Sequence, residues 1–134
     1  MKLSQLAREA AGYVLELTGD CEVVSISADS REENRQGLFF CIRGARYDAH
    51  HFASQAVDNG ACALVVTQLQ PQLDVPQLLV SDDRAAMALM VRAFYGFPDR
   101  EMKLVGITGT KGKTTTSYLV KAILERSGYR CGLI

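Results

Sequence analysis

A glycine-rich stretch at residues 105–120, VGITGTKGKTTTSYLV, carries the residue types that hold nucleotide phosphates. Glycines let the backbone curl so that successive N–H groups point inward, and a helix that begins there adds its positive dipole end. Gly109 and Gly112 flank such a turn. Lys113 would place its ammonium against the β- and γ-phosphates, Thr114 would offer its hydroxyl to Mg²⁺, and Thr115 is a further hydroxyl donor.

The spacing of this stretch departs from the common P-loop, in which a glycine stands five residues before Gly-Lys-Thr; here that position is Ile107. The alternative interpretation is an ordinary glycine-containing turn with a surface lysine. An apolar segment before the turn and three threonines that open an amphipathic helix favour the phosphate loop. Phosphoryl transfer also needs a second acidic Mg²⁺ ligand, and Glu125 is the only acid after Thr115. We therefore expect the chain to be the N-terminal piece of a longer enzyme.

Composition limits the class of protein. A chain of 134 residues with 48% hydrophobic content can bury one core, and its net charge of zero argues against a nucleic-acid partner. The four cysteines lack metal-ligand spacing, so we expect reduced, mostly buried thiols. Charges within the N-terminal residues 1–17 argue against a signal peptide or membrane insertion and predict a cytoplasmic protein.

Hydrophobic periodicity predicts an α/β order of elements. Four helices are predicted. The first begins after Ser4 as a cap and ends near Gly12, and the second runs from Asp48 to Gly60. The third runs from Ser81 or Asp82 to Gly96, and the fourth covers 114–128. Predicted strands cover 21–28, 38–43, 61–67, 77–80, 102–108 and 130–134.

Residues 97–101, FPDRE, form the best linker candidate, because Pro98 disfavours helix at Phe97. The predicted organisation is a small sheet packed by helices over residues 1–96. The first βα unit of a P-loop ATPase domain, incomplete, then follows at 102–134.

GITGTKGKTTT resembles the ATP loop of the Mur ligases, which is usually G-x-T-G-T-N-G-K-T-T. The resemblance implies that Thr110 and Lys111 also line the ATP phosphates and that Lys113 is the catalytic residue, with ATP and Mg²⁺ as cofactors. Lys111 stands where the family usually has Asn, which adds a charge beside the phosphates.

Five further motifs are similar to the N-terminal uridine-nucleotide domain of the MurE-type Mur ligases: ADSRE, LFFCIRG, YDAHHF, NGACALVV and DDRAAMA…FYGFP. The resemblance implies that UDP-sugar (UDP-MurNAc) binds at Ala28, Ser30, Ala45, Arg46 and Tyr47. A hydroxyl and loop amides can read the polar edge of uracil, and an aromatic ring can stack on it. Gln36-Gly37 replaces the usual Gly-Asp, and Ala49 replaces Gly, so the geometry of these loops can differ from that of the family.

Several nearby residues have simpler interpretations. Asp29 and Arg31 can pair with each other, and His50 can either cap its helix or reach the ligand. His51 fits a surface position.

The resemblance implies a ligase that adds meso-diaminopimelate or L-lysine to UDP-MurNAc-L-Ala-D-Glu through an acyl phosphate. Its partners would be these small molecules, and the full-length protein would be a monomer. Three alternatives stay open: a MurF-type ligase that adds D-Ala-D-Ala, a non-catalytic uridine-nucleotide-binding module, and a generic P-loop NTPase.

Overall fold

The computed structural model describes residues 1–45 and 47–134. Contacts divide the chain into two units, Met1–Arg100 and Glu101–Ile134.

The first unit is built on one five-stranded mixed sheet, with strands in the order β1-β5-β4-β3-β2. Strands β2 to β5 are parallel, and β1 pairs antiparallel with β5. The strands are β1 (Val14–Leu17), β2 (Ser25–Ser27), β3 (Gly37–Phe40), β4 (Ala61–Val66) and β5 (Gln77–Val80). This arrangement confirms the predicted α/β class and the small sheet.

Helices cover the sheet. They are α1 (Leu3–Glu9), α2 (Ala53–Asp58), which follows a 3₁₀ turn at Ala49–Phe52, and α3 (Asp83–Phe94). Leu3, Leu6 and Ala7 of α1 are buried together with Ala86 and Met90 of α3. These are the faces that helical spacing predicts.

Alternate residues of β3 and β4 point into two separate hydrophobic clusters. Leu38, Phe40, Ala63 and Val65 join the cluster that contains α1 and α3. Phe39, Leu64 and Val66 join Ala53 and Ala56 of α2 in the other cluster, together with Cys41, which directly follows β3. Both faces of these parallel strands are therefore covered, which explains why the two segments read as continuous apolar runs.

Side-chain caps define where two helical segments begin. Asp48 accepts a hydrogen bond from the backbone N–H of His50, and Asp82 accepts from the N–H groups of Arg84 and Ala85. These bonds confirm Asp48 and Asp82 as caps. Ser4 is not a cap, because α1 begins two residues earlier, after Lys2, and the Ser4 hydroxyl donates instead to Asp20 at 2.8 Å.

Strand β1 was not predicted. The sequence analysis assigns no element to the residues between the first predicted helix and residue 21. The strand at Val14–Leu17 is defined by its pairing with β5. Strand β2 is shorter than the predicted 21–28, and β3 ends at Phe40 rather than at residue 43. Hydrogen-bonded partners, rather than β-propensity, set these ends.

The four cysteines are free, as predicted, but only Cys41 is buried, and the other three are half-buried. The Sγ atoms of Cys21 and Cys62 lie 3.2 Å apart. Burial, together with the hydrogen bond between the two thiols, raises the pKa of Cys21 to about 12. Burial raises the pKa of Cys41 to about 12 as well. Cys21 and Cys41 are therefore neutral thiols at pH 7.

The end of α3 is followed by a tight, aromatic-centred turn. Gly96 and Phe97 have positive φ values of 74° and 58°. The Phe97 ring lies 5.1 Å from the Arg92 guanidinium and 4.1 Å from that of Arg100. Arg92 also donates to Asp99 at 2.6 Å. Residues 97–100, part of the predicted linker, thus pack back onto α3 within the first unit.

The second unit contains one helix, α4 (Lys113–Arg126). The predictions of strands at 102–108 and 130–134 are wrong, since the structure has no regular hydrogen-bonded structure at 103–109 or 129–134. A strand needs a neighbour to accept its ladder hydrogen bonds, and within the described residues of this unit neither segment has one. The βα unit is therefore represented by its helix alone.

Within the described residues, no helix is both long and apolar enough to cross a membrane.

Gly37 offers a sharp test of the packing beneath β3. A Cβ atom at Gly37 would lie 1.8 Å from Asn34 Oδ1, which accepts from Ser25 Oγ at 2.6 Å. Because Asn34 is buried, we expect Gly37→Ala to lower the free energy of unfolding by about 1–3 kcal/mol, measured by urea denaturation. Gly12→Ala is the matched control, since a Cβ there meets open space. Equal stabilities of the two variants would contradict this packing.

Candidate functional site

A cavity of about 680 Å³ opens where β2 and β3 end. Its wall combines the segment after β2, the segment after β3 and the start of the following helix. In open parallel sheets, ligands bind at the carboxyl ends of strands, so this cavity has the expected place for a small-molecule site. The lining residues are Ala28, Asp29, Ser30, Arg31, Phe39, Ile42, Gly44, Tyr47, Ala49, Phe52 and Gln55.

Ser30 lies at the polar centre of this wall. Its hydroxyl donates to Gln55 Oε1 at 3.0 Å, and its carbonyl oxygen accepts from Asn59 Nδ2 at 2.8 Å. The Asn59 backbone N–H in turn donates to the Gln55 carbonyl at 3.0 Å. The two bonds to Ser30 hold the loop after β2 against α2, and the third closes the end of α2 itself, so the position of Ser30 is defined by the fold.

Asp29 and Arg31 form an ion pair beside Ser30. The Arg31 guanidinium donates to both carboxylate oxygens of Asp29, at 2.8 and 2.5 Å. The side-chain hydrogen bonds from Arg31 hold the pKa of Asp29 at about 2. The prediction that these two residues pair is confirmed, and the pair leaves little net charge on this side of the cavity.

A second cavity of about 360 Å³ shares Gly44, Tyr47 and Phe52 with the first. It is also lined by Ala45, His51 and the ion pair of Arg43 with Asp48, whose atoms lie 3.1 Å apart. Tyr47 is 75% exposed, so its ring is free for stacking. The shared residues make the two cavities adjoining parts of one open groove.

His50 is buried and has structural partners on both ring nitrogens. Nδ1 lies 2.5 Å from Asp48 Oδ1, and Nε2 accepts from the backbone N–H of Thr67 at 3.0 Å. Because Nε2 accepts, Nδ1 carries the proton and donates to Asp48. His50 therefore joins the end of β4 to the 3₁₀ turn and does not line either cavity, whereas His51 is exposed as predicted.

The predicted uridine-site residues are distributed over this groove. Ala28, Ser30 and Tyr47 line the larger cavity and Ala45 the smaller one, while Arg46 lies outside the described residues. The sequence analysis singles out neither Gln55, which lines the larger cavity, nor Phe52, which is 43% exposed and lines both cavities. Helical spacing does not single out Gln55, because its side chain contacts Ser30, which lies in the loop after β2.

The predicted phosphate loop lies at the start of α4. Gly112 is the N-cap with φ 78°, and the Lys113 ammonium donates to the Gly109 carbonyl at 2.7 Å. The first helical bond runs from the Thr116 N–H to the Gly112 carbonyl, which leaves the N–H groups of residues 113–115 without helical acceptors. Thr110, Lys111, Thr114 and Thr115 are exposed around this turn. The donors that an anion requires are thus present together.

Comparison with known proteins gives relatives and structures of one kind. A solved structure of MurF from Acinetobacter baumannii matches 92% of this chain and 27% of that one, with TM-score 0.70 and 29% identity. A Halalkalibacterium halodurans protein is 44% identical over 134 residues, which are 100% of this chain and 27% of that protein. Its name is UDP-N-acetylmuramoyl-L-alanyl-D-glutamate--2,6-diaminopimelate ligase.

The chain is a homologue of the Mur ligases along its whole length. A Geobacillus thermodenitrificans ligase of the same name is 40% identical over the same 134 residues, 27% of its length. No protein-family model matches the chain. The chain spans about a quarter of the length of the curated Mur ligases that it matches, 27% for the two named here.

Asp48 is the best residue for testing how this groove is held. Asp48→Ala removes the acceptor of both the His50 N–H and the His50 ring, so we expect a loss of about 1–3 kcal/mol in unfolding free energy. Asp58→Ala, at an exposed position at the end of α2, is the control and should change stability little. Chemical denaturation of both variants at pH 7 measures the difference.

The difference in unfolding free energy between wild type and Asp48→Ala should depend on pH. The pKa of Asp48 is lowered from its ordinary value of 3.8 to about 2, first by the backbone N–H of His50 and then by the His50 ring and Arg43. Since the folded pKa lies below the unfolded one, the stabilisation is complete above about pH 5 and is lost as the pH falls towards 2. The stability gap between wild type and Asp48→Ala should shrink over that range. A gap that stays constant would argue against the ionised cap.

Proposed function

We propose that this chain is the N-terminal part of an ATP-dependent ligase that adds 2,6-diaminopimelate to UDP-N-acetylmuramoyl-L-alanyl-D-glutamate in peptidoglycan synthesis. The observation that carries the proposal is identity of 40–44% along all 134 residues with proteins that bear this name. The proposed location is the cytoplasm, where ATP and UDP-sugars are available.

The first unit would bind the uridine nucleotide of the substrate in the groove beside Ser30. A groove with apolar walls, an exposed aromatic ring at Tyr47 and a few oriented polar groups suits a base and its ribose. Ala28, Ala45 and Arg46 complete the proposed contacts by family resemblance.

The second unit would bind the phosphates of ATP at the start of α4. The free N–H groups of residues 113–115 and the ammonium of Lys113 suit the negative charge, and Lys111 adds a second cation. The exposed hydroxyl of Thr114 is the proposed protein ligand of Mg²⁺, whose chemical contribution when bound is to neutralise phosphate charge. Gly109, Thr110, Gly112 and Thr115 form the rest of the proposed loop.

Activation by ATP suits the reaction chemically, because a carboxylate is a poor electrophile. Transfer of the γ-phosphoryl group to the substrate carboxylate gives an acyl phosphate, and attack by the incoming amine releases phosphate and forms the amide. Lys113 would hold and neutralise the transferring group. Residues 1–134 alone are expected to bind substrate without catalysing this reaction.

The second candidate is the MurF-type activity, because three solved structures that resemble this chain are of that type, at 29% identity. The higher identity to the diaminopimelate ligases favours the first candidate. A non-catalytic uridine-nucleotide-binding module remains the simplest alternative from another class.

Turnover by the full-length protein that contains this sequence separates these candidates. We expect ADP release that requires both the UDP-muramoyl dipeptide and diaminopimelate, with less activity for L-lysine. Turnover only with the UDP-muramoyl tripeptide and D-Ala-D-Ala would instead establish the MurF type. ADP release in neither mixture, with UDP binding retained, would establish the non-catalytic module.

Lys113 tests the phosphate loop directly. In the full-length protein, Lys113→Met should lower kcat at least about 100-fold, because charge stabilisation of a transferring phosphate is lost. Lys121→Met, which removes a lysine that pairs with Glu125 one turn along α4, is the control and should keep near-normal turnover. Equal effects of the two substitutions on kcat would refute a specific role for Lys113.

A further inference from the structure

The hydroxyl proton of Ser30 is already committed to a protein acceptor. Ser30 is 9% exposed, and its Oγ donates to Gln55 Oε1 at 3.0 Å. A serine hydroxyl has one proton and two lone pairs, so in this arrangement Ser30 presents an acceptor to the cavity.

The Gln55 side chain presents a hydrogen-bond donor beside the Ser30 acceptor. Its Oε1 receives the Ser30 proton, which leaves the two N–H bonds of Nε2 as donors. Within the described residues, no acceptor is recorded for Nε2, and the Gln55 side chain is one of the groups that line the cavity. Ser30 and Gln55 therefore form an adjacent acceptor and donor.

We infer that Ser30 and Gln55 together read the imide edge of uracil. Ser30 Oγ accepts from N3–H of the base, and Gln55 Nε2 donates to a carbonyl oxygen next to N3. This inference rests on the proposed uridine-nucleotide site and names Gln55 as a specificity-determining residue within it.

The pair is selective because cytosine has a different pattern at the same edge. Uracil carries a donor at N3, whereas N3 of cytosine is an acceptor and would face the lone pairs of Ser30. A buried polar group that meets a like group loses its hydrogen bond and retains its desolvation cost, which is how sites reject close analogues.

Asn59 holds the backbone of both residues. Its Nδ2 donates to the Ser30 carbonyl at 2.8 Å, and its N–H donates to the Gln55 backbone carbonyl at 3.0 Å. The polar pair lies in a wall that also contains Ile42 and Phe52, whose apolar surfaces exclude water from the base.

Calorimetric titration of the 134-residue chain with UDP and with CDP tests the Ser30 half of the inference. The expected result is at least about tenfold tighter binding of UDP, as a hydrogen bond exchanged for a mismatch would produce. Equal affinities for UDP and CDP would overturn the inference while leaving the proposed nucleotide site intact. Binding of neither nucleotide would overturn both.

Gln55→Glu tests the other half, because it keeps an acceptor for Ser30 and replaces the Nε2 donor by a second carboxylate oxygen. We expect UDP affinity to fall about tenfold or more. Gln68→Glu is the matched control, since it makes the same change at an exposed position outside both cavities, and its UDP affinity should stay within about twofold of wild type.

Equal UDP affinity of Gln55→Glu and Gln68→Glu would overturn the role of Gln55 without affecting the proposed function. Urea denaturation of each variant confirms that the fold is retained, which the exposure of both glutamines leads us to expect. A loss of UDP affinity that accompanies intact stability supports the inference.

Discussion

The first unit depends on the burial of both faces of its central parallel strands. Every residue of β3 and all but one residue of β4 are buried, and their side chains alternate between two hydrophobic clusters. A parallel sheet exposes apolar surface on both faces unless helices cover it, so α1 and α3 on one face and α2 on the other are requirements of the same strands.

This constraint also determines where a ligand can bind. The faces of the sheet are occupied by helices, and the carboxyl ends of β2 and β3 remain open. The loops that leave these ends carry the polar groups of the groove, and α2, which must pack on β3 and β4, brings Gln55 and Asn59 to the loop after β2. Asp48 and His50 fasten the loop after β3 to the end of β4 in the same way. The groove is thus a consequence of how the core is covered.

In the second unit, the same need for neighbouring elements leaves a strand-like segment without a strand. The segment 102–108 has a strong strand composition, yet the structure gives it no strand, because no neighbouring strand is present within the described residues of that unit. Helix α4 forms, since its hydrogen bonds are internal to the segment. Its Tyr118, Leu119 and Ile123 are 60–65% exposed.

The sequence by itself determined the α/β class, the buried runs of β3 and β4, the strand at 77–80 and the caps at Asp48 and Asp82. It also determined the resemblance to the Mur ligases, because these features depend on local residue types and motif order. Tertiary structure decided the pairing of β1, the buried position of His50 and the contact between Ser30 and Gln55, which stand 25 residues apart. Local propensity contains no information about which distant groups meet, whereas a hydrogen bond exists only once packing has brought its donor and acceptor within reach.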